Sequence, residues 1–168
     1  MSKQHYQAAT YKAQNSVGYL IKRAQSMMVD VLDQVFAEHG FTHIHYVILS
    51  WLRDGIVVNP KDICVQFRHD SGALTRVIDQ LADRGLLERV RRDRDRRKVE
   101  LQLTEAGRKT VEQLIPLVVE KLNLALIDFS TEEVEEFLRL LRKLNTRLQA
   151  TVDVKSSDAP KAAAGKGA

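Results

Sequence analysis

The sequence predicts a mainly α-helical chain with one small β element, and three observations carry that reading. Apolar residues recur at steps of three and four through most of the 168 residues, the spacing that lines one face of a helix. Two short runs, Leu86 to Val90 and Val99 to Leu103, flank a charged stretch, and the second alternates apolar with polar at period two, as a hairpin with a polar tip does. Capping residues stand where the helical pattern starts and stops: Thr42, Asn59-Pro60 and Ser130 at starts, Gly40, Gly55 and Gly85 at ends.

Each element follows from its residues. Val17, Leu20, Ile21, Ala24, Met28, Val31, Leu32, Val35 and Phe36 form the stripe of a long amphipathic helix ending near Gly40. Thr42 caps a second helix carrying Ile44, Val47, Ile48 and Trp51, which stops at Arg53-Asp54-Gly55. Ile56-Val57-Val58 is long enough only for a small strand. Asn59 then caps a third helix with proline at its first position, where the missing N–H costs nothing; that helix runs to about Arg68. Asp70 or Ser71 caps a fourth helix buried through Leu74, Ile78 and Leu81 and closed by Gly85. The third and fourth helices read as a helix-turn-helix, and the hairpin follows directly.

Thr104-Glu105 opens a fifth helix through Val111, Leu114, Val118, Leu122 and Leu126, with a kink expected at Pro116. Ser130 and Glu133 make a capping box for a sixth, carrying Phe137, Leu140, Leu141, Leu144 and Leu148. Residues 1–14 are a polar N-terminal extension and 153–168, rich in Lys, Ser, Ala and Gly, read as a disordered tail. A single domain is expected over 15–152, with the helix-turn-helix and hairpin at about 42–104 between helical segments at about 15–39 and 105–151. Those flanking segments carry wider apolar faces than the small unit between them offers to cover. A second copy of the chain is therefore the expected partner, with two-fold symmetry.

Charge points to the ligand class. The chain carries a formal net charge of +4, enough to attract a polyanion without being a basic tail. The stretch from Arg89 to Lys98 holds seven basic residues and two acidic ones, a local charge of +5. A charge run alone is usually a solvated turn, but this one follows a helix-turn-helix on the same compact unit. Arginine fits phosphate and the negative potential of a narrow minor groove, so Arg91, Arg92, Arg94, Arg96, Arg97 and Lys98 are candidate DNA contacts. On the fourth helix, burial of Leu74, Ile78 and Leu81 turns Ser71, Gly72, Thr75, Arg76 and Asp79 outward. The small and hydrogen-bonding groups among them, Ser71, Gly72, Thr75 and Arg76, suit close approach to base edges.

The stretch from Gly72 to Arg89 and that from Asp95 through Leu103-Thr104-Glu105-Ala106-Gly107 resemble the recognition helix and wing of MarR-type regulators, the second matching their D-x-R…L-T-x-x-G pattern. The resemblance implies a winged helix-turn-helix flanked by N- and C-terminal dimerisation helices, acting as a homodimeric repressor on a pseudo-palindromic DNA operator. It implies that Arg97 enters the minor groove with Asp95 orienting it; independently, a carboxylate two residues before a guanidinium can brace it. Arg94 and Arg96 alternate to the other face and are expected to meet phosphates. It also implies release by a small aromatic carboxylate or phenol. Tyr19, Arg23, His43, Tyr46 and Trp51 are the candidate ligand groups, set against the alternative that Tyr46 and Trp51 are simply core.

Other chemistries find little support. His43 and His45 lie two apart, about 200 degrees around a helix, and no cysteine pair or helical acid–histidine pair completes a metal site. No nucleophile motif, phosphate loop or paired carboxylates mark an enzyme, and no cofactor is expected. The lone Cys64 sits in a slot for a small apolar residue, and a single cysteine is consistent with a reducing compartment. No run approaches the roughly 20 apolar residues of a membrane span, so a cytoplasmic protein is expected. The competing functions are a winged-helix module that docks a protein partner and a non-specific architectural DNA binder.

Overall fold

The structure, a computed structural model, describes residues 4–57, 59–67, 71–91 and 99–157. The chain divides into two compact units, Met1–Leu122 and Asn123–Ala168.

In the first unit, helix α1 spans Val17–Ala37, and its N-terminal amides are met by Ser16, whose hydroxyl accepts from the Tyr19 N–H at 3.2 Å. The N-terminal extension folds onto that start. The Tyr6 hydroxyl accepts from the Val17 N–H at 2.9 Å, and its ring meets Tyr11 edge-on. Gly40, at φ 72°, closes the far end, where Phe41 donates back to the Phe36 carbonyl. Helix α2 spans His43–Arg53, α3 Pro60–Phe67 and α4 Ser71–Asp83. Thr42 caps α2 as expected, and the Asn59 side chain accepts from the Asp62 N–H at the start of α3.

The expected strand at Ile56-Val57-Val58 is not formed over its described residues. The Ile56 N–H is committed to the Trp51 carbonyl at 2.9 Å, closing α2, so it has no donor to offer a ladder. Val57 instead drops into the core at 2% exposure. Residue 58 lies outside the described residues. The sheet has two strands, β1 Leu87–Arg91 and β2 Val99–Leu103, antiparallel with Leu87 opposite Leu103, Arg89 opposite Leu101 and Arg91 opposite Val99. Helix α5, Glu105–Ala125, runs continuously through Pro116.

One core gathers Ile48, Leu49, Val57, Ile63, Leu74, Ile78, Leu81, Leu87, Leu101 and Val111, with Cys64 and Trp51 packed half-buried against it. A second joins Leu32 and Phe36 of α1 to Leu114 and Val118 of α5. Phe41 and Tyr46 touch both. The L-T-x-x-G pattern has a physical cause here. Thr104 Oγ donates to the Gly85 carbonyl at 2.6 Å and accepts from the Gly107 N–H at 3.0 Å, which stitches the end of α4 to the start of α5. Gly107 lies so close to Leu86, the residue before β1, that a Cβ would stand 1.8 Å from the Leu86 carbonyl oxygen; only glycine fits.

In the second unit, helix α6 spans Thr131–Ser157 and starts in the expected capping box: the Ser130 N–H donates to Glu133 and the Glu133 N–H to Ser130 Oγ. It runs past the composition shift at Asp153, so the expected tail does not begin there; residues 158–168 lie outside the described residues. No described helix is long and apolar enough to cross a membrane.

Candidate nucleic-acid interface

Helix α4 owes its orientation to one stripe. Leu74, Ile78 and Leu81, at 1%, 1% and 0% exposure, fix one face in the core, and the helix period then turns Gly72, Thr75 and Arg76 to the surface. Gly72 and Arg76 are four residues apart, so they share one turn of that exposed face. A glycine and a threonine beside an arginine leave room for a nucleic-acid edge and supply hydrogen-bonding groups. Ser71 is the first residue of the helix.

Asp79 does not join that face as a free acid. Its Oδ1 accepts from Arg89 Nη2 at 2.5 Å, with both side chains a little under half exposed. Arg89 stands opposite Leu101, a buried residue of β2, so the pair ties α4 to the base of the hairpin. Sequence reading placed Arg89 in the basic run and Asp79 on the outward face, and neither signal paired them. The ten-residue separation crosses a turn, and no local periodicity spans it.

The hairpin continues from Arg91 and returns at Val99. The tip that carries Arg92, Arg94, Asp95, Arg96, Arg97 and Lys98 lies outside the described residues.

The C-terminal half of α4 and Arg84 just beyond it are held to the α1–α2 turn and the first turn of α2. Arg84 donates to the Gly40 carbonyl at 2.9 Å and lies 3.9 Å over the Phe41 ring. His45 is buried at 8% exposure, with Nε2 3.2 Å from Gln80 Oε1. Its Nδ1 accepts from the Thr42 N–H at 3.1 Å. Desolvation lowers the His45 pKa, a hydrogen bond to Gln80 raises it, Arg84 lowers it and Asp33 raises it, with a net fall. Neither His45 nor Gln80 was singled out from sequence as part of the site, although His45 occupies the third helical position, where a capping box places its reciprocal acceptor.

The candidate ligand groups are dispersed. Tyr46 stacks on Phe36 at 5.1 Å and Trp51 packs against the core, the packing alternative considered for both. His43 is half-buried, its N–H donating to Asp33 Oδ1 at 2.5 Å, and burial lowers its pKa against the opposing pull of Asp33. Tyr19 and Arg23 share one turn on the exposed half of α1. Arg23 and Asp33 are ten residues apart on α1, about 15 Å by helix rise, so Arg23 and His43 do not converge. Among the described residues no three His, Cys, Asp or Glu side chains gather as metal ligands.

A stripe-anchored helix following a short helix, tied by an ion pair to an antiparallel hairpin, defines a winged helix-turn-helix protein. The MarR family profile matches residues 39–98. Over 128 residues the chain is 27% identical to the HTH-type transcriptional repressor YetL of Bacillus subtilis, covering 75% of this chain and 77% of that one. Among solved structures, a cysteine-to-serine mutant of MarR from Escherichia coli complexed with operator DNA matches at TM-score 0.67 and 26% identity, over 80% of this chain and 99% of that one. BpsR of Bordetella bronchiseptica, whose DNA binding is regulated by 6-hydroxynicotinic acid, matches at TM-score 0.67 and 29% identity, over 80% and 96%. The chain is thus similar in sequence and fold to MarR-family winged-helix regulators.

Proposed function

We propose that the chain is a homodimeric, sequence-specific transcriptional repressor of the cytoplasm that acts by binding and not by catalysis. It grips a pseudo-palindromic operator with one α4 and one wing per subunit and is released by a small aromatic acid or phenol. The observation that carries this is the exposed Gly72-Thr75-Arg76 face of α4, rigidly seated by Leu74, Ile78 and Leu81 and tied through Asp79–Arg89 to the hairpin that bears the basic run. The repressor name of YetL, the operator complex of MarR and the ligand regulation of BpsR favour it. Ser71, Gly72, Thr75 and Arg76 face the major groove; Arg97, braced by Asp95, enters the minor groove; Arg91, Arg92, Arg94, Arg96 and Lys98 meet phosphates. Exposed apolar residues support the dimer: Leu20, Met27 and Val31 on α1 at 52%, 51% and 42%, and Phe137, Leu140 and Leu148 on α6 at 48%, 48% and 52%. For the effector, Tyr19 and Arg23 offer an exposed aromatic and a cation, and His43 a second polar group.

Selection of bound sequences from a random DNA pool, followed by titration of the selected site against salt, tests the reading. The expected site has two half-sites about one helical turn apart, and affinity falls steeply with salt as counterions are released. Arg97→Ala and Asp95→Ala both weaken binding, the second although it removes a negative charge. Tighter binding by Asp95→Ala removes the bracing role. A salt slope without sequence preference points to an architectural binder, and no DNA affinity to a protein-docking module. A screen of aromatic carboxylates for operator release, repeated with Arg23→Ala and His43→Ala, tests the ligand groups.

A further inference from the structure

His45 has a fixed tautomer. Nδ1 faces the backbone N–H of Thr42 at 3.1 Å and the Thr42 hydroxyl at 3.0 Å. A nitrogen that accepts from a backbone N–H carries no proton, so the proton of the neutral ring is on Nε2, where Gln80 Oε1 accepts it at 3.2 Å. One imidazole thus completes the cap of α2 and fastens the recognition helix α4. Protonation places a hydrogen on Nδ1, against a donor that already points there, and strips Thr42 N–H of its acceptor. The surroundings add to the cost. Asp83, the last residue of α4, and Arg84 just beyond it line the same cleft as His45 and Gln80, Arg84 being pinned in place by Gly40 and Phe41. Asp33 of α1 is the opposing acid, already engaged by the His43 N–H, and His43 is the neighbouring titratable group on α2 itself. The edge of the Phe41 ring, 6.2 Å from the imidazole, closes the remaining side.

We propose that His45 is a proton-sensitive positioning residue, holding α4 in its DNA-binding orientation while neutral and loosening it when protonated, so that operator affinity falls as the medium acidifies. The operator part rests on the DNA-binding reading above. The direction of the shift agrees: burial sets the folded pKa below the free value, so the neutral ring stabilises the fold above the unfolded pKa and that contribution is lost as pH falls toward the folded one. General electrostatics predicts the opposite for DNA, since added positive charge tightens phosphate contacts.

The test uses the full chain and its selected operator between pH 7.5 and 5.5 at constant ionic strength, with thermal melts in parallel. His45→Gln keeps an acceptor at the third helical position, as a capping box does, and cannot titrate. Gln80→Glu sets a carboxylate against Nε2–H, which favours the protonated ring. Wild-type affinity is expected to fall about fivefold or more relative to His45→Gln over that range, its melting temperature to fall further than that of His45→Gln, and Gln80→Glu to move both midpoints to higher pH. The other histidines are common to all three proteins. Parallel pH profiles for wild type and His45→Gln, or midpoints unmoved by Gln80→Glu, overturn the proposal. If no protein binds DNA at any pH, the repressor reading fails and the melts decide the role of His45: a steeper wild-type loss supports it, and parallel losses overturn it.

Discussion

Helices α4 and α1 carry the same kind of apolar stripe and meet different fates. In α4 the stripe is sealed, with Leu74, Ile78 and Leu81 at 1% exposure or less. In α1 only Leu32 and Phe36 are buried, while Leu20, Ile21 and Val31 stand 52%, 39% and 42% exposed. Periodicity identifies a helix and a face; it does not name what covers the face. In α4 the cover is the rest of the same module. Over the N-terminal half of α1 none of the described residues of the first unit seals it, and the proposed second subunit does.

Glycine substitutions break this comparison most sharply. Gly107→Ala drives a Cβ into the Leu86 carbonyl and is expected to cost more than about 3 kcal/mol, although alanine is otherwise the better helix former by about 1 kcal/mol. Gly18→Ala on α1 meets nothing within 4 Å and is expected to be neutral or stabilising by up to about 1 kcal/mol. Urea denaturation at one fixed protein concentration measures both. A destabilised Gly18→Ala dimer places the partner against that turn.

Leucine truncations sharpen it next. Leu74→Ala is expected to lose about 3 kcal/mol through the cavity it leaves, seen as a lower urea midpoint at any concentration. Leu20→Ala is expected to change stability in a concentration-dependent way, because its area is buried only on association. Sedimentation then shows weaker dimerisation for Leu20→Ala alone; equal dissociation constants for the two variants would remove α1 from the interface.

The smallest expected effect lies between the two halves of the proposed DNA-facing module. Asp79→Ala breaks an ion pair whose side chains are 42% and 47% exposed, so stability changes by less than about 1 kcal/mol. Operator affinity is nevertheless expected to drop, because the base of the wing loses its tie to α4. Arg89→Ala alone is expected to weaken binding as much as the double variant with Asp79→Ala, and additive losses in that cycle would show two independent contacts.

Most helices and their starts were legible in the local sequence, whereas the strand expected at Ile56-Val57 and the end of α6 were not. Helix spacing, the caps at Thr42, Asn59 and Ser130, and the positive-φ glycines Gly40, Gly55 and Gly85 are local, each settled within a few residues. It also marked the outward face of α4 and the basic run of the wing. Tertiary structure alone decided the rest. Ile56-Val57 has strand-forming residues, but its N–H was claimed by α2 and its valine by the core. Gly107 reads as an ordinary helix residue until the Leu86 backbone lies against it. Asp79 with Arg89, and His45 with Gln80 and Arg84, are pairs separated by 10 to 39 positions, and such contacts are made by packing, which no local pattern of residues encodes.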